Sequence, residues 1–175
     1  MDEFDAFVRS RSAALLRSAY LLTGDQHLAE DLVQSALART HRAWSRLHDR
    51  GNAEAYTRKI MYHLQVSRWR RRVAESLPGD LPEPRRARGT GGPGGDHADQ
   101  TTVRLTLRAA LLRLSAKQRA VLVLRYFEDC TEADAADVLG VTVGTVKSQT
   151  AKALAKLRTV APELADLYLL EGTAR

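Results

Sequence analysis

The residues best suited to a chemical task lie between Thr131 and Arg158, in TEADAADVLGVTVGTVKSQTAKALAKLR. Thr145, Ser148, Gln149, Lys152 and Lys156 recur at helical spacing and form one polar, basic stripe with short side chains at its start and no acid. Hydroxyl, amide and ammonium groups on one helix face suit the base edges and phosphates of a DNA major groove. Lys147 adds a further cation, and Gly144 removes a side chain where the backbone would come closest to the duplex.

Such a stripe works only if something holds it. Val143, Val146, Thr150, Ala153, Leu154 and Leu157 form the opposite, apolar stripe of the same helix. Thr142 can cap that helix by accepting an orphan N–H of its first turn. Gly140 supplies the tight turn before it. Thr131 can cap a short first helix, Glu132 to Leu139, with Ala135, Ala136, Val138 and Leu139 as its apolar side. The whole is a helix-turn-helix. The plainer alternative is a core helix with a solvated lysine face, but the turn glycine, the cap and the short preceding helix at these offsets favour DNA binding.

The 175 residues allow one domain or two small ones. A formal charge of +6 and a pI of about 9.8 favour a polyanionic partner, nucleic acid before a membrane surface. There is no apolar run long enough for a membrane span, and the acidic start MDEFDAFVRS is unlike a secretory signal. A cytoplasmic protein is expected. The single cysteine, Cys130, cannot form an internal disulfide, and no Cys/His cluster has zinc spacing, so no metal and no cofactor is expected. A catalytic role is not expected either. No nucleophile–base pair is evident, and the glycines of RGTGGPGG lack the spacing and the strand of a nucleotide loop.

A composition shift divides the chain. Pro78, Pro82, Pro84 and Pro93 and the glycines at 79, 89, 91, 92, 94 and 95 fall in one segment nearly free of large apolar residues. Burial there cannot offset ordering entropy. The expected organisation is therefore all-α: a helical domain over 3–75, a flexible linker over 76–100, a second helical domain over 101–160 and a tail over 161–175.

In the first domain, the pattern predicts a helix over 3–22 with Phe4, Phe7, Val8, Leu15, Leu16, Ala19 and Leu22 buried. Gly24 closes it, and Asp25 caps a second helix over 26–47. That helix exposes Glu30, Asp31, Gln34, Ser35, Arg39 and Arg42, a mixed-charge side suited to a protein partner. HDRGNA is a loop by composition. A third helix over 54–75 is expected to bury Tyr56, Ile60, His63, Leu64 and Ser67. Its other side would present Arg58, Tyr62, Gln65, Trp69 and Arg72, with Arg68, Arg70 and Arg71 as a cationic end. Aromatics between arginines can stack on unpaired bases while guanidinium groups take phosphates. The competing arrangement buries Tyr62 and Trp69 against the second helix. In the second domain, helices are expected over 103–114 and, after a Ser115 cap, over 116–127. Pro162 limits the last helix, and the apolar tail suggests docking onto this domain or a partner.

These motifs resemble an extracytoplasmic-function sigma factor, the small two-domain class of the sigma-70 family. Ala29-Glu30-Asp31-Leu32-Val33-Gln34 is similar to the family's core-binding signature in region 2.2, and Ala55 to Arg72 to its region 2.4. Leu114 to Arg119, Val121 to Tyr126 and Val143-Gly144-Thr145-Val146-Lys147-Ser148 are similar to region 4. The Arg- and Ala-rich composition is like that of a high-GC actinobacterial, SigE-type member. The resemblance implies that Glu30, Asp31, Leu32, Val33 and Gln34 bind core RNA polymerase at its beta-prime clamp helices, with the beta flap as a second polymerase contact. It implies that Asp49, Asn52, Arg58, Tyr62, His63, Gln65, Trp69, Arg70 and Arg71 recognise and open the −10 element, holding single-stranded DNA. It implies that Thr142, Gly144, Thr145, Lys147, Ser148, Gln149, Lys152 and Lys156 read the double-stranded −35 element. An anti-sigma factor is a further implied partner.

The chain departs from the family at His63, where asparagine is common, and at Gln149 and Lys152, which replace a pair often made of arginine with arginine or histidine. Two rival readings remain: a helix-turn-helix repressor, which would need a dimerisation helix, and a polymerase-binding adaptor that does not read promoters.

Overall fold

A computed structural model describes residues 3–47, 52–75 and 106–162, and these are helices with short connections. Helix α1 spans Glu3–Thr23 and is closed by Gly24 at φ +71°. Helix α2 spans Gln26–Ala43, capped by the Asp25 carboxylate, which accepts from Leu28 N. It stops four residues before the expected Leu47, where Trp44–Arg46 tighten into a 3₁₀ turn. Helix α3 spans Ala53–Glu75. The linker expected over 76–100, the tail from 163 onward, Asp49 and the side chains of Trp69, Arg70 and Arg72 lie outside the described residues.

The second half begins with α4, helical over 106–112 in its described part. Helix α5 spans Ala116–Leu122 and starts with a capping box, Ser115 and Gln118 satisfying each other's backbone N–H. The helix expected to run on to Phe127 instead widens into a π-helical turn over Val123–Phe127. Helices α6, Glu132–Leu139, and α7, Val143–Val160, follow at the predicted limits. Gly140 between them sits at φ +64°, a conformation that disfavours any residue with a Cβ.

The two halves pack against each other. Leu15, Leu22, Leu32, Met61 and Tyr62 of the first half share one apolar cluster with Val121, Val123, Leu124, Ala135 and Val146 of the second. Each leucine sealed there contributes roughly 1.5–3 kcal/mol. A smaller cluster, with Ala110, Leu111, Leu114, Leu122, Ala153 and Leu157, seats α7 on α4 and α5.

Helix α3 is the reason the halves merge, because it is covered from two directions. Thr57, Met61 and Leu64 form a buried stripe, and Thr57 meets Thr40 of α2, their hydroxyls 2.9 Å apart. Tyr62 and Gln65, expected to face solvent, are also buried, at 0% and 7% exposure, while Tyr56, His63 and Ser67, expected inside, are exposed. The expected two-sided pattern assumed a single packing partner for α3. A second partner, α5 with α6, covers the other side.

Candidate nucleic-acid interface

Helix α7 presents its polar stripe as the sequence predicts. Thr142 caps it, accepting from Thr145 N at 3.1 Å, and the two hydroxyls lie 2.9 Å apart. Val146, Ala153 and Leu157 anchor the opposite side in the core, whereas Val143, expected to anchor it too, stays 39% exposed. Thr142, Gly144, Lys147, Ser148, Lys152 and Lys156 are exposed, and Thr145 and Gln149 are half-buried. Beside Gly144 the nearest side-chain atom is Thr142 Oγ1, 3.8 Å from where a Cβ would stand, so the surface there is open. Lys147 Nζ lies 3.6 Å from Glu132 Oε2, the lysine exposed and the glutamate half-buried, a pair weak enough for the lysine to exchange partners.

The short helix before it is fixed by a second capping box. Thr131 accepts from Asp134 N, and the Asp134 carboxylate accepts from both the Thr131 hydroxyl and the Thr131 N–H. These hydrogen bonds, hydroxyl first, hold the Asp134 carboxyl below the ordinary carboxylate range.

The residues assigned to single-stranded DNA are arranged differently. Arg58, Tyr62 and Gln65 do share one stripe of α3, but it is covered, Arg58 by Glu128 of the second half and Gln65 by the end of α1. Arg58 Nη1 lies 2.8 Å from Glu128 Oε2, and Arg58 Nη2 lies 2.6 Å from Glu54. The other Glu128 oxygen accepts from the Ser18 hydroxyl of α1. Gln65 Nε2 donates to Leu22 O at 3.2 Å. His63 is exposed at its rim, yet its Nε2 donates to Val138 O of α6 at 2.9 Å. Lys59 Nζ reaches Asp137 at 3.3 Å. Asn52 and Arg71 are exposed, and Arg68 is half-buried with its guanidinium 3.5 Å from Ser35 Oγ.

Two polar atoms in this contact are left over. Among the described residues, Arg58 Nε and Tyr62 Oη are buried with no hydrogen-bond partner. Each such omission costs roughly 1–3 kcal/mol. Burial raises the Tyr62 phenol well above its ordinary value, the Glu128 carboxylate adds to the rise, and Arg58 offsets part of it. Burial, then Glu128, also raises the Cys130 thiol.

The C-terminal end of α1 is a further meeting point. It has no basic residue in its own last turn. Arg119 of α5 donates to Leu22 O, and Arg108 of α4 donates to Gly24 O. The second half therefore supplies the positive charge that a helix C-terminus favours. Leu112 lies so close to Gly24 that a Cβ there would come within 2.5 Å of its side chain.

Ser18, Glu128, Arg108 and Arg119 were not singled out by sequence reasoning. One signal was available for Ser18, which falls on the apolar stripe between Leu15 and Leu22. None marks Glu128, because the π-turn that aims it leaves no periodic trace.

For the protein-binding side of α2, Glu30, Asp31 and Gln34 are exposed. Leu32 and Val33 are not: at 0% and 6% exposure they belong to the core. Their part is to seat the helix that displays the other three. Beside Gln34 lies an open cavity of about 430 Å³ lined by Phe4, Val8, Leu37 and His41. Phe4 and Phe7 pack with Trp44 at its edge, Phe4 edge-on at 5.1 Å between ring centres. No helix among the described residues is long and apolar enough to cross a membrane.

Comparison with known proteins matches both halves. Residues 7–75 match the family described as Sigma-70 region 2, and residues 104–157 the family described as Sigma-70, region 4. The chain is 41% identical over 157 residues to the RNA polymerase sigma-E factor of Streptomyces coelicolor, which covers 89% of this chain and 84% of that protein. It is 30% identical over 168 residues to the ECF RNA polymerase sigma factor SigL of Mycobacterium tuberculosis, covering 91% and 89%. Among solved structures its fold is similar to the sigma factor RpoE of Bartonella quintana, co-crystallised with the anti-sigma factor NepR. The TM-score is 0.65 at 23% identity, over 91% of this chain and 97% of that one.

Proposed function

The chain belongs to the sigma-70 family of RNA polymerase sigma factors, in the extracytoplasmic-function class, and from that membership we propose a division of labour among its helices. As a sigma factor it binds core RNA polymerase and directs promoter-specific initiation. In our reading Glu30, Asp31 and Gln34 of α2 dock on the polymerase clamp. Helix α3, from Asn52 to the arginines at 68–71, takes the opened −10 strand. The α7 stripe reads the −35 duplex, Thr145, Ser148 and Gln149 near base edges and Lys147, Lys152 and Lys156 at phosphates. The domain limits 3–75 and 101–160, with a linker between, belong to this reading.

The observation that supports it best is the α7 surface, capped by Thr142, anchored by Val146, Ala153 and Leu157, and open along its polar face. A single chain that engages both elements gains from effective concentration only while polymerase sets the spacing. An anti-sigma factor is a further proposed partner, since the RpoE of similar fold was solved with one.

The test is reconstitution. The chain mixed with core polymerase should co-elute with it and support run-off transcription from genomic fragments. Lys152→Ala should weaken that transcription while co-elution persists. Tight, sequence-selective DNA binding by the free chain with no co-elution would instead indicate a repressor.

A further inference from the structure

The exposed side of α7 has a crest, and the crest is made of small residues. At about 100° per residue, Gly144, Ser148, Ala151 and Ala155 stand opposite the buried Val146, Ala153 and Leu157. All four are exposed. Lys147 rises on one side of them, Lys152 and Lys156 rise on the other, and α7 carries no acid along its length. The hydroxyls at the start of the crest are already engaged. Ser148 Oγ donates to Thr145 O at 3.1 Å, and the Thr142 and Thr145 hydroxyls pair with each other at 2.9 Å. Ala151 and Ala155 have no hydrogen-bonding side-chain group at all. The line of α7 that would go deepest into a groove therefore offers methyl and methylene groups between two rails of lysine.

We propose that Ala151 is a specificity-determining residue of this sigma factor, its methyl group packing on the 5-methyl group of a thymine in the −35 duplex. The inference rests on the reading of α7 as the −35 helix and deepens it. Every base pair shows hydrogen-bonding groups in the major groove, and thymine adds a methyl group. An alanine side chain can answer only the methyl group. Ala151 lies two helical turns, about 10 Å, beyond Gly144. Small residues over those two turns let the backbone come close to the bases, which a single methyl group needs in order to touch one. The lysines on either side hold the helix to phosphates whatever the sequence. Ala151 then favours thymine over any base without a methyl group at the position it faces.

The test uses the full chain assembled with core polymerase and reads the affinity of a labelled promoter duplex, taken from a genomic fragment that supports run-off transcription. The duplex is made in three forms. One carries thymidine, one carries deoxyuridine in its place over about one helical turn at the −35 position, and one has that turn scrambled. Deoxyuridine keeps every hydrogen bond and removes only the methyl group. The wild type should bind the thymidine duplex about fourfold more tightly than the deoxyuridine duplex, the ratio that burial of one methyl-sized group produces. In Ala151→Gly the ratio should fall to about one. Ala133→Gly makes the same change at an exposed position of α6 and should keep the wild-type ratio, which separates lost contact from a loosened helix. Sensitivity to scrambling with no difference between thymidine and deoxyuridine would overturn the methyl contact while leaving α7 as the −35 reader. A difference that persists in Ala151→Gly would overturn the assignment to Ala151 and place the discrimination in duplex shape. Indifference to scrambling would overturn the −35 reading of α7, and the inference with it.

Discussion

The carboxylate of Glu128 lies 2.8 Å from the guanidinium of Arg58, although the two belong to different halves of the chain. Glu128 is nearly sealed and Arg58 mostly so, at 6% and 24% side-chain exposure. A pair taken this far out of water stabilises only if its remaining atoms are satisfied. Glu128 meets that condition through Ser18, and Arg58 only in part. The contact therefore fixes how the halves meet more than it strengthens the fold.

Tyr62→Phe should leave the protein as stable or raise its stability by about 1 kcal/mol, since the hydroxyl it deletes is buried without a partner. Urea unfolding of both proteins checks this. The same pair tests alkaline behaviour. A phenol whose pKa is higher in the folded chain stabilises fully below its ordinary value, 10.0, and that contribution is lost as pH rises through the folded value. Wild-type stability should fall above that pH by more than that of Tyr62→Phe.

Asp31→Ala and Leu32→Ala should separate binding from folding on adjacent residues. Asp31 is exposed, so its loss should weaken co-elution with core polymerase and leave the melting temperature unchanged. Leu32 is sealed at 0% exposure, and its truncation should cost roughly 2–5 kcal/mol of stability. Parallel melting and gel filtration distinguish the two; equal unfolding in both variants would remove Asp31 from the binding surface.

Lys152→Ala should weaken −35-dependent transcription in one of two ways. A base contact predicts a loss of about 1–3 kcal/mol of discrimination at one promoter position. A phosphate contact predicts uniform weakening across promoters and a shallower salt dependence. Transcription from a set of single-position promoter variants at two salt concentrations tells these apart.

Gly140→Ala and Gly24→Ala should differ although both glycines have positive φ. At Gly140 the nearest atom to a new Cβ is 3.7 Å away, so the cost is conformational, roughly 1–2 kcal/mol. At Gly24 the same methyl meets the Leu112 side chain at 2.5 Å, so that side chain must move as well. Gly24→Ala should therefore lose more stability than Gly140→Ala, which urea unfolding of the two variants checks.

Thr131→Val should return the Asp134 carboxyl toward its ordinary value, because the hydroxyl is the largest cause of its lowering. The linkage has a definite sign. With a lowered folded pKa, the stabilisation is present above the ordinary Asp value of 3.8 and is lost as pH falls through the lowered one. An NMR titration of Asp134 in both proteins checks it.

Much of the architecture was legible in local chemistry. Asp25, Ser115, Thr131 and Thr142 announce helix starts because each offers an oxygen to orphan N–H groups within three residues, an interaction complete inside the sequence window. Gly24 and Gly140 announce ends for the same local reason. The stripe of α7 followed from periodicity against one partner, the situation in which a 3.6-residue pattern is informative. Leu32 and Val33, buried at helical spacing, entered the polymerase-binding set only because a motif names consecutive residues, whereas a helix turns consecutive residues to different sides.

What the sequence alone determined was the all-α class, most helix limits, the helix-turn-helix and the family resemblance, all of which depend on neighbours within a few residues. The tertiary structure alone decided which side of α3 is inside, that Arg58 answers Glu128, and that Arg119 and Arg108 finish the end of α1. These contacts join residues far apart in the chain. They arise because α3 has two packing partners, and periodicity can point to a buried side but cannot count the surfaces that bury it.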